Sequence, residues 1–213
     1  FETNVCAGLP VLSTLNDLVR SGDQVHQIEA VLSGTLVFLF NEYNGKEKFV
    51  DVIKKAKELG FTEPDPRLDL FGSDVKRKIL ILIRESGYTC EYDDIELNSF
   101  LPKSCMESTS VEDFYEKVEA EEAHFKKLYD DAQAKGARLK VVAKYKNGHG
   151  SVGLEAVDAA HPFYNLEGKD NIVLFYTNRY DDHPMVIKGA GAGAEVTASG
   201  IFADVLRLSQ SDI

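Results

Sequence analysis

The sequence predicts an α+β fold in which helices cover a mixed, largely antiparallel sheet. Apolar residues recur at helical spacing in two regions, 9–21 and 48–59, which indicates amphipathic helices packed on a core. Two segments rich in β-branched and aromatic residues, 138–145 and 151–157, flank an Asn-Gly pair at 147–148, a strong signal for an antiparallel hairpin. Helices followed by late antiparallel strands are typical of this class.

The first half of the chain alternates helices with one strand. The first helix has Pro10 in its first turn and stops at Gly22, and the β-branched residues of 25–32 favour a strand. The next predicted elements are a helix from Ser33-Gly34-Thr35 through Phe40 and Tyr43, a helix over 48–59 closed by Gly60, and a helix capped by Ser73 or Asp74 that runs to about Glu85 before Gly87.

The second half begins with a charge-rich segment, 111–135, which predicts one long helix ending at Gly136. After the hairpin come strands at 171–176 and 185–188 and a final helix at 195–208. This order predicts antiparallel pairing of the late strands, with helices on one face of the sheet.

Composition excludes several classes of partner. The 213 residues include 24 Lys and Arg against 35 Asp and Glu, a net charge of -11, whereas nucleic acid is bound by a basic surface. Since no apolar run is long enough to span a bilayer, we expect no membrane partner. The three cysteines, Cys6, Cys90 and Cys105, form no Cys-x-x-Cys motif, which disfavours a structural zinc site. Their small number indicates a reducing, cytoplasmic setting. The start at Phe1, without a signal peptide, suggests a piece of a longer protein.

Charged side chains cluster around two prolines in segment 60–78. Each proline holds the residue before it, Glu63 or Asp65, in extended conformation. Asp74 and Lys78 follow one helical turn apart, so they share a helix face. Two interpretations remain open: a surface ion pair worth about 0.3–0.5 kcal/mol, or a lysine beside carboxylates that transfers a proton.

Four segments together resemble a known family. Segment 60–78 reads GFTEPDPRLDLFGSDVKRK, segment 1–10 reads FETNVCAGLP, segment 33–36 reads SGTL, and segment 189–198 reads GAGAGAEVTA. Taken in their order along the chain, these segments resemble motifs of the homoserine dehydrogenase family. Residues 95–102 and the Thr-Asn pair near the start look most similar to the dehydrogenase half of bifunctional aspartokinase–homoserine dehydrogenases.

The resemblance implies a reaction and the residues that perform it. The family interconverts L-homoserine and L-aspartate 4-semialdehyde with NADP or NAD, in the aspartate pathway to threonine and methionine. It implies Lys78 as the proton donor to the aldehyde oxygen. The other implied site residues are, for the amino acid, Glu63, Asp69, Asp74, Thr35 and Phe61 and, for the cofactor, Gly60 and Gly193.

The resemblance also implies a monovalent cation, such as sodium, near the start of the chain. Its ligands would be the Glu2 carboxylate and the carbonyls of Val5, Ala7 and Leu9, since oxygen ligands suit a hard cation. The alternative is a simple turn before a helix. The sequence departs from the family at Cys6, where glycine is usual, and also at Phe61, Leu68 and Phe71.

The nucleotide-binding half of the family is absent from this sequence. By resemblance, residues 1–188 form the catalytic and dimerisation domain, and 189–213 form a glycine-rich turn and a C-terminal helix that return to a Rossmann domain. The resemblance further implies a homodimer, a covalently linked aspartokinase and inactivity without the upstream domain. An oligomerisation module and a stand-alone amino-acid-binding domain are the alternative functions.

Overall fold

The protein is described by a computed structural model over residues 1–168 and 170–210. Its helices are α1 (Val11–Arg20), α2 (Gly34–Glu42), α3 (Phe49–Glu58), α4 (Arg67–Leu70), α5 (Ser73–Glu85), α6 (Lys103–Met106), α7 (Val111–Ala120), α8 (Glu122–Gln133) and α9 (Ala194–Gln210). Its strands are β1 (Val25–Val31), β2 (Ile95–Asn98), β3 (Arg138–Lys146), β4 (His149–Val157), β5 (Asp170–Thr177) and β6 (Met185–Ala190).

The described strands form one open sheet in the order β2-β4-β3-β1-β5-β6. The β2–β4 pair is parallel and the other neighbouring pairs are antiparallel, so the predicted α+β class with a mixed, largely antiparallel sheet is confirmed. Lys146 pairs with His149 across a two-residue loop. Asn147 and Gly148 both have positive φ there (54° and 80°), the conformation for which the Asn-Gly pair is favoured.

The two faces of the sheet are covered differently. Alternate residues of a strand point to opposite faces, and one set, which includes Ile28, Val141 and Phe175, packs with the helices in the main core. The other set, which includes Ile172, packs under Phe163 in a smaller cluster. Helices therefore dominate one face, as predicted, while the segment between β4 and β5 covers part of the other.

Two local predictions are wrong, and one strand was not predicted. The helix predicted over 111–135 is two helices, because the backbone of Glu121 leaves helical geometry (φ -95°, ψ 15°). Its carboxylate accepts a hydrogen bond from Ser104 at 2.7 Å. Strand β2 was not predicted, since four residues are too short for a periodic signal. The residue preceding α5 is Gly72 in a left-handed conformation (φ 76°), without the predicted side-chain cap.

Candidate active site

Six parts of the chain meet at a cavity of about 300 Å³. They are the start of α2, the loop between α3 and α4, α4 itself, the start of α5, the start of β5 and the turn after β6. The cavity brings together seven residues predicted from the sequence, namely Thr35, Gly60, Phe61, Glu63, Asp69, Asp74 and Lys78. Gly193 is not part of the lining, although Gly191 and Ala192 are.

Lys78 is fixed at this cavity by two partners. Its Nζ lies 2.7 Å from Asp74 Oδ2 and donates to the carbonyl of Leu32, at the end of β1, at 3.0 Å. The Lys78 side chain is 20% exposed, whereas that of Asp74 is 52% exposed. An ammonium has three N–H groups, so one remains for a ligand. The ion pair foreseen from the spacing is therefore present, and it lies in the cavity wall.

Asp69 orders the loop that carries Phe61 and Glu63. Its Oδ2 accepts a hydrogen bond from the Glu63 backbone N–H at 2.9 Å, and its Oδ1 lies 3.2 Å from Thr35 Oγ1. The Thr35 hydroxyl also donates to the Phe61 carbonyl at 2.5 Å. Burial raises the pKa of Asp69 above its ordinary value. Asp69 thus holds the loop through Oδ2, while its Oδ1 lies in contact with the Thr35 hydroxyl.

The two acids that precede the prolines have different environments. Glu63 is exposed, and its carboxylate has no hydrogen bond or ion pair within residues 1–168 and 170–210. Asp65 is bound by the guanidinium of Arg67, with Nη2 at 2.7 Å from Oδ2, and this contact lowers the pKa of Asp65. Arg67 also donates to the carbonyl of Ser108. Glu63 therefore has charge to offer a ligand, while Asp65 stabilises the loop.

Phe61 forms the apolar part of the wall. Its ring stacks on Phe38 of α2, with centroids 4.1 Å apart and planes 21° apart. Gly60, before it, has φ 73°, a conformation that glycine adopts without strain.

Asn171 also lines the cavity, and sequence reasoning missed it. It is 2% exposed, lies near the start of β5 and donates from Nδ2 to Cys6 Sγ at 3.3 Å. A single asparagine at a strand end gives no recognisable signal, because its position beside the cavity depends on sheet register.

The residues predicted to hold a cation lie in the turn before α1. Glu2 is 2% exposed, and its carboxylate oxygens accept from the N–H groups of Leu12 (2.8 Å) and Ser13 (2.9 Å), at the start of the helix. Cys6 and Ala7 both have positive φ, 61° and 52°. Cys6 therefore adopts a left-handed conformation, which is more costly for cysteine than for the glycine that is usual at this position in the family.

The donor chemistry of this turn fits a hard cation, because it combines carboxylate and carbonyl oxygens. The Glu2 carboxylate, however, already caps α1. Within the described residues, no cluster of three or more His, Cys, Asp or Glu is arranged to hold a metal ion.

A larger cavity lies elsewhere in the protein. It measures about 460 Å³ and its lining includes Tyr43, Tyr129 and Arg138. None of the residues predicted from the motifs lines it. We assign the candidate site to the smaller cavity, because that cavity combines a fixed lysine with an unpaired carboxylate.

Comparisons with known proteins show the family to which the chain belongs. A family model described as homoserine dehydrogenase matches residues 10–206. The chain belongs to the homoserine dehydrogenase family. No helix among the residues described here is long and apolar enough to cross a membrane.

Relatives in the homoserine dehydrogenase family are longer than this chain. Bifunctional aspartokinase/homoserine dehydrogenase 2, chloroplastic, of Arabidopsis thaliana is 46% identical over 211 residues, which are 98% of this chain and 23% of that protein. Homoserine dehydrogenase of Saccharomyces cerevisiae is 41% identical over 216 residues, covering 98% of this chain and 60% of that protein. The chain thus spans about a quarter of the first relative and three fifths of the second.

A solved structure of a hyperthermophilic archaeal homoserine dehydrogenase in complex with NADPH superimposes with a TM-score of 0.73 at 26% identity. The superposition covers 99% of this chain and 55% of the archaeal one. The fold is therefore shared with an enzyme of the family that binds NADPH.

Proposed function

We propose that the chain is the substrate-binding and catalytic portion of an oxidoreductase that interconverts L-homoserine and L-aspartate 4-semialdehyde. The observation that carries this proposal is the fixed Lys78 in a cavity that also presents the unpaired Glu63 carboxylate. A cation that binds an alkoxide and an anion that binds an ammonium are the two charges that this substrate pair requires.

Each side chain has a proposed role in the reaction. The cofactor, when bound, would supply the hydride as NADPH or NADH in the reducing direction and accept it as NADP⁺ or NAD⁺ in the oxidising direction. In the reducing direction, Lys78 donates a proton to the aldehyde oxygen as negative charge develops there. Asp74 keeps this lysine in place, and Glu63 binds the substrate ammonium. Asp69 and Thr35 hold the loop that carries Glu63.

The glycine-rich turn and α9, residues 189–213, are proposed to complete a nucleotide-binding domain, with residues 1–188 as the catalytic and dimerisation domain. Support comes from the described part of α9, where Ile201, Phe202 and Val205 are 53%, 63% and 55% exposed. Apolar side chains exposed together on one helix are typical of a surface that another domain covers. Gly193 would approach the cofactor from this turn.

Other parts of the proposal concern partners and setting. They are a homodimer, a covalently linked aspartokinase as in the bifunctional relatives, a sodium-type cation at the turn formed by Glu2, Val5, Ala7 and Leu9, and a cytoplasmic location. The three cysteines are free and buried, which agrees with a reducing compartment.

The test of catalysis uses the chain joined behind a nucleotide-binding domain, here called the joined protein. We expect it to oxidise homoserine with NADP or NAD. Lys78→Ala should lower kcat about 100-fold or more, because general acid–base catalysis contributes about 10²–10⁴-fold. The measurement is the absorbance of the reduced cofactor, with thermal unfolding as the check on folding.

The control is Lys57→Ala, which removes an exposed lysine at the end of α3, outside the cavity. Full turnover by Lys78→Ala would remove Lys78 from the mechanism.

A second candidate function is amino-acid binding without catalysis, favoured by the unpaired Glu63. Calorimetry would then show homoserine binding without turnover by the joined protein, and the missing turnover is what separates this function from catalysis. An oligomerisation module is the other alternative, and a clean monomer by light scattering at high concentration would exclude it.

A further inference from the structure

Asn171 has a buried polar atom without a partner. Its side chain points to the helix-covered face of the sheet, and its Nδ2 donates to Cys6 Sγ. The carboxamide oxygen, Oδ1, is buried and has no hydrogen-bond partner within the described residues. An unsatisfied buried acceptor costs about 1–3 kcal/mol, so such atoms are rare in native structures and need an explanation.

The glycine-rich turn lies directly on this carboxamide. A Cβ added at Gly191 would stand 2.2 Å from Asn171 Cγ and Nδ2 and 2.7 Å from Oδ1, so only glycine fits there. Asn171 and Gly191 line the cavity together with Lys78. The orphan oxygen therefore belongs to the wall where the turn, the lysine and strand β5 meet.

The charges of the cavity indicate which ligand group would satisfy this oxygen. The predicted side chains of the wall already include three carboxylates, those of Glu63, Asp69 and Asp74. A carboxamide oxygen adds an acceptor without adding a fourth negative charge. An N–H group of a ligand is the complementary donor.

We propose that Asn171 is a ligand-binding residue of this site, whose Oδ1 accepts a hydrogen bond from an N–H group of the bound ligand. The donor is either the carboxamide of the nicotinamide ring or the ammonium of the amino acid. This inference rests on the proposed function. Because Oδ1 is buried beneath the turn in this structure, binding of this group would require the turn at Gly191 to move away from Asn171.

The test compares Asn171→Ala with Asn178→Ala, an exposed asparagine just beyond the other end of β5. Asn171→Ala removes an unsatisfied oxygen together with the Nδ2 hydrogen bond to Cys6 Sγ, so we expect the melting temperature of the ligand-free protein to fall by no more than about 5 °C. Its affinity for one ligand should fall about 5- to 20-fold, the size of one lost hydrogen bond. Asn178→Ala should change neither quantity.

Two binding arms identify the donor. If the donor is the substrate ammonium, calorimetry on the chain should show a weaker affinity for homoserine in Asn171→Ala. If the donor is the nicotinamide carboxamide, fluorescence titration on the joined protein should show a weaker affinity for NADPH. Asn171→Ser keeps a neutral acceptor oxygen at this position, and should restore part of the affinity lost in Asn171→Ala. This rescue separates ligand binding from damage to the fold.

The outcomes are distinct. If Asn171→Ala keeps wild-type affinity for both ligands, this inference alone is overturned, whatever the melting temperature of the variant. A wild-type protein that binds neither homoserine nor NADPH overturns the proposed function and this inference with it.

Discussion

At the scale of single residues, the cavity contains carboxylates in different states. Among the residues that the structure describes, the Glu63 carboxylate has no partner, while Asp69 accepts from the Glu63 backbone and lies against Thr35. The sequence motif names both as amino-acid-binding residues. Their hydrogen bonds suggest a division in which Glu63 supplies charge to the ligand and Asp69 holds Glu63 in place.

Asp69→Asn tests this division. An asparagine can accept from the Glu63 N–H through Oδ1 and donate from Nδ2 to Thr35, whose own proton goes to Phe61. The geometry is therefore retained without the charge. Calorimetry with the chain should show homoserine affinity within about threefold of wild type, whereas Glu63→Gln should lower it about tenfold, as expected for a charged hydrogen bond of about 1.5 kcal/mol.

Asp69→Asn should also change the pH dependence of stability. Because burial raises the pKa of Asp69, the folded state binds its proton more tightly than the unfolded state. Wild-type stability from this group is therefore lost as pH rises through the folded pKa. Urea unfolding between pH 4 and pH 7 should show that loss only in wild type. A tenfold weaker homoserine affinity in Asp69→Asn would instead make Asp69 a direct ligand.

At the scale of elements, Lys140 links strand β3 to helix α2 and to the segment between β4 and β5. Lys140 of β3 is 1% exposed, and its Nζ donates to Asn41 Oδ1 of α2 at 2.6 Å and to the carbonyl of Leu166 at 3.0 Å. Burial lowers the pKa of Lys140 from 10.5 to about 8. A base with a lowered folded pKa contributes most stability above its unfolded pKa, and this contribution is lost as pH falls to the folded pKa.

We therefore expect the free energy of unfolding to gain a contribution of roughly 1–3 kcal/mol from Lys140 between pH 8 and pH 10.5. Urea unfolding across this range should show the gain in wild type and not in Lys140→Met. The control is Lys144→Met on the same strand, a partly exposed lysine paired with Glu155, which should keep the gain. Equal pH profiles for wild type and Lys140→Met would contradict the prediction.

Much of this level of structure follows from the sequence, but not all of it. Periodicity indicated α1, α3 and α5, and the Asn-Gly pair indicated the β3–β4 hairpin, because these signals are local. The break at Glu121 has no local signal such as Gly or Pro, and the Glu121 side chain contacts Ser104, which belongs to another helix. The place of Asn171 in the cavity depends on the register of β5 with β6 and on the turn that follows. Such long-range contacts leave no periodic pattern to read.

At the scale of the whole molecule, α9 lies across the start of the chain and leaves an apolar surface open. Gly200 approaches Gly8 so closely that an added Cβ would lie 2.8 Å from the Gly8 Cα. The apolar surface, formed by Ile201, Phe202 and Val205, remains exposed. Since relatives of the family extend well beyond this chain, the surface suits the proposed nucleotide-binding domain.

The double substitution Phe202→Ser and Val205→Ser tests this use of α9. In the chain alone, both side chains are already exposed, so the melting temperature should stay within about 2 °C of wild type. In the joined protein it should fall by about 5 °C or more, because burying each large apolar side chain contributes about 1.5–3 kcal/mol. The measurement is calorimetric unfolding of both forms.

The matched control is Leu59→Ser, which removes an apolar side chain that is 55% exposed beside the end of α3. It should have the same small effect in the chain and in the joined protein, because the proposed interface does not include it. If the double substitution leaves the joined protein as stable as wild type, α9 does not pack against the nucleotide-binding domain. The exposed surface would then suit another partner, because covering several large apolar side chains of one helix removes them from water and stabilises the assembly.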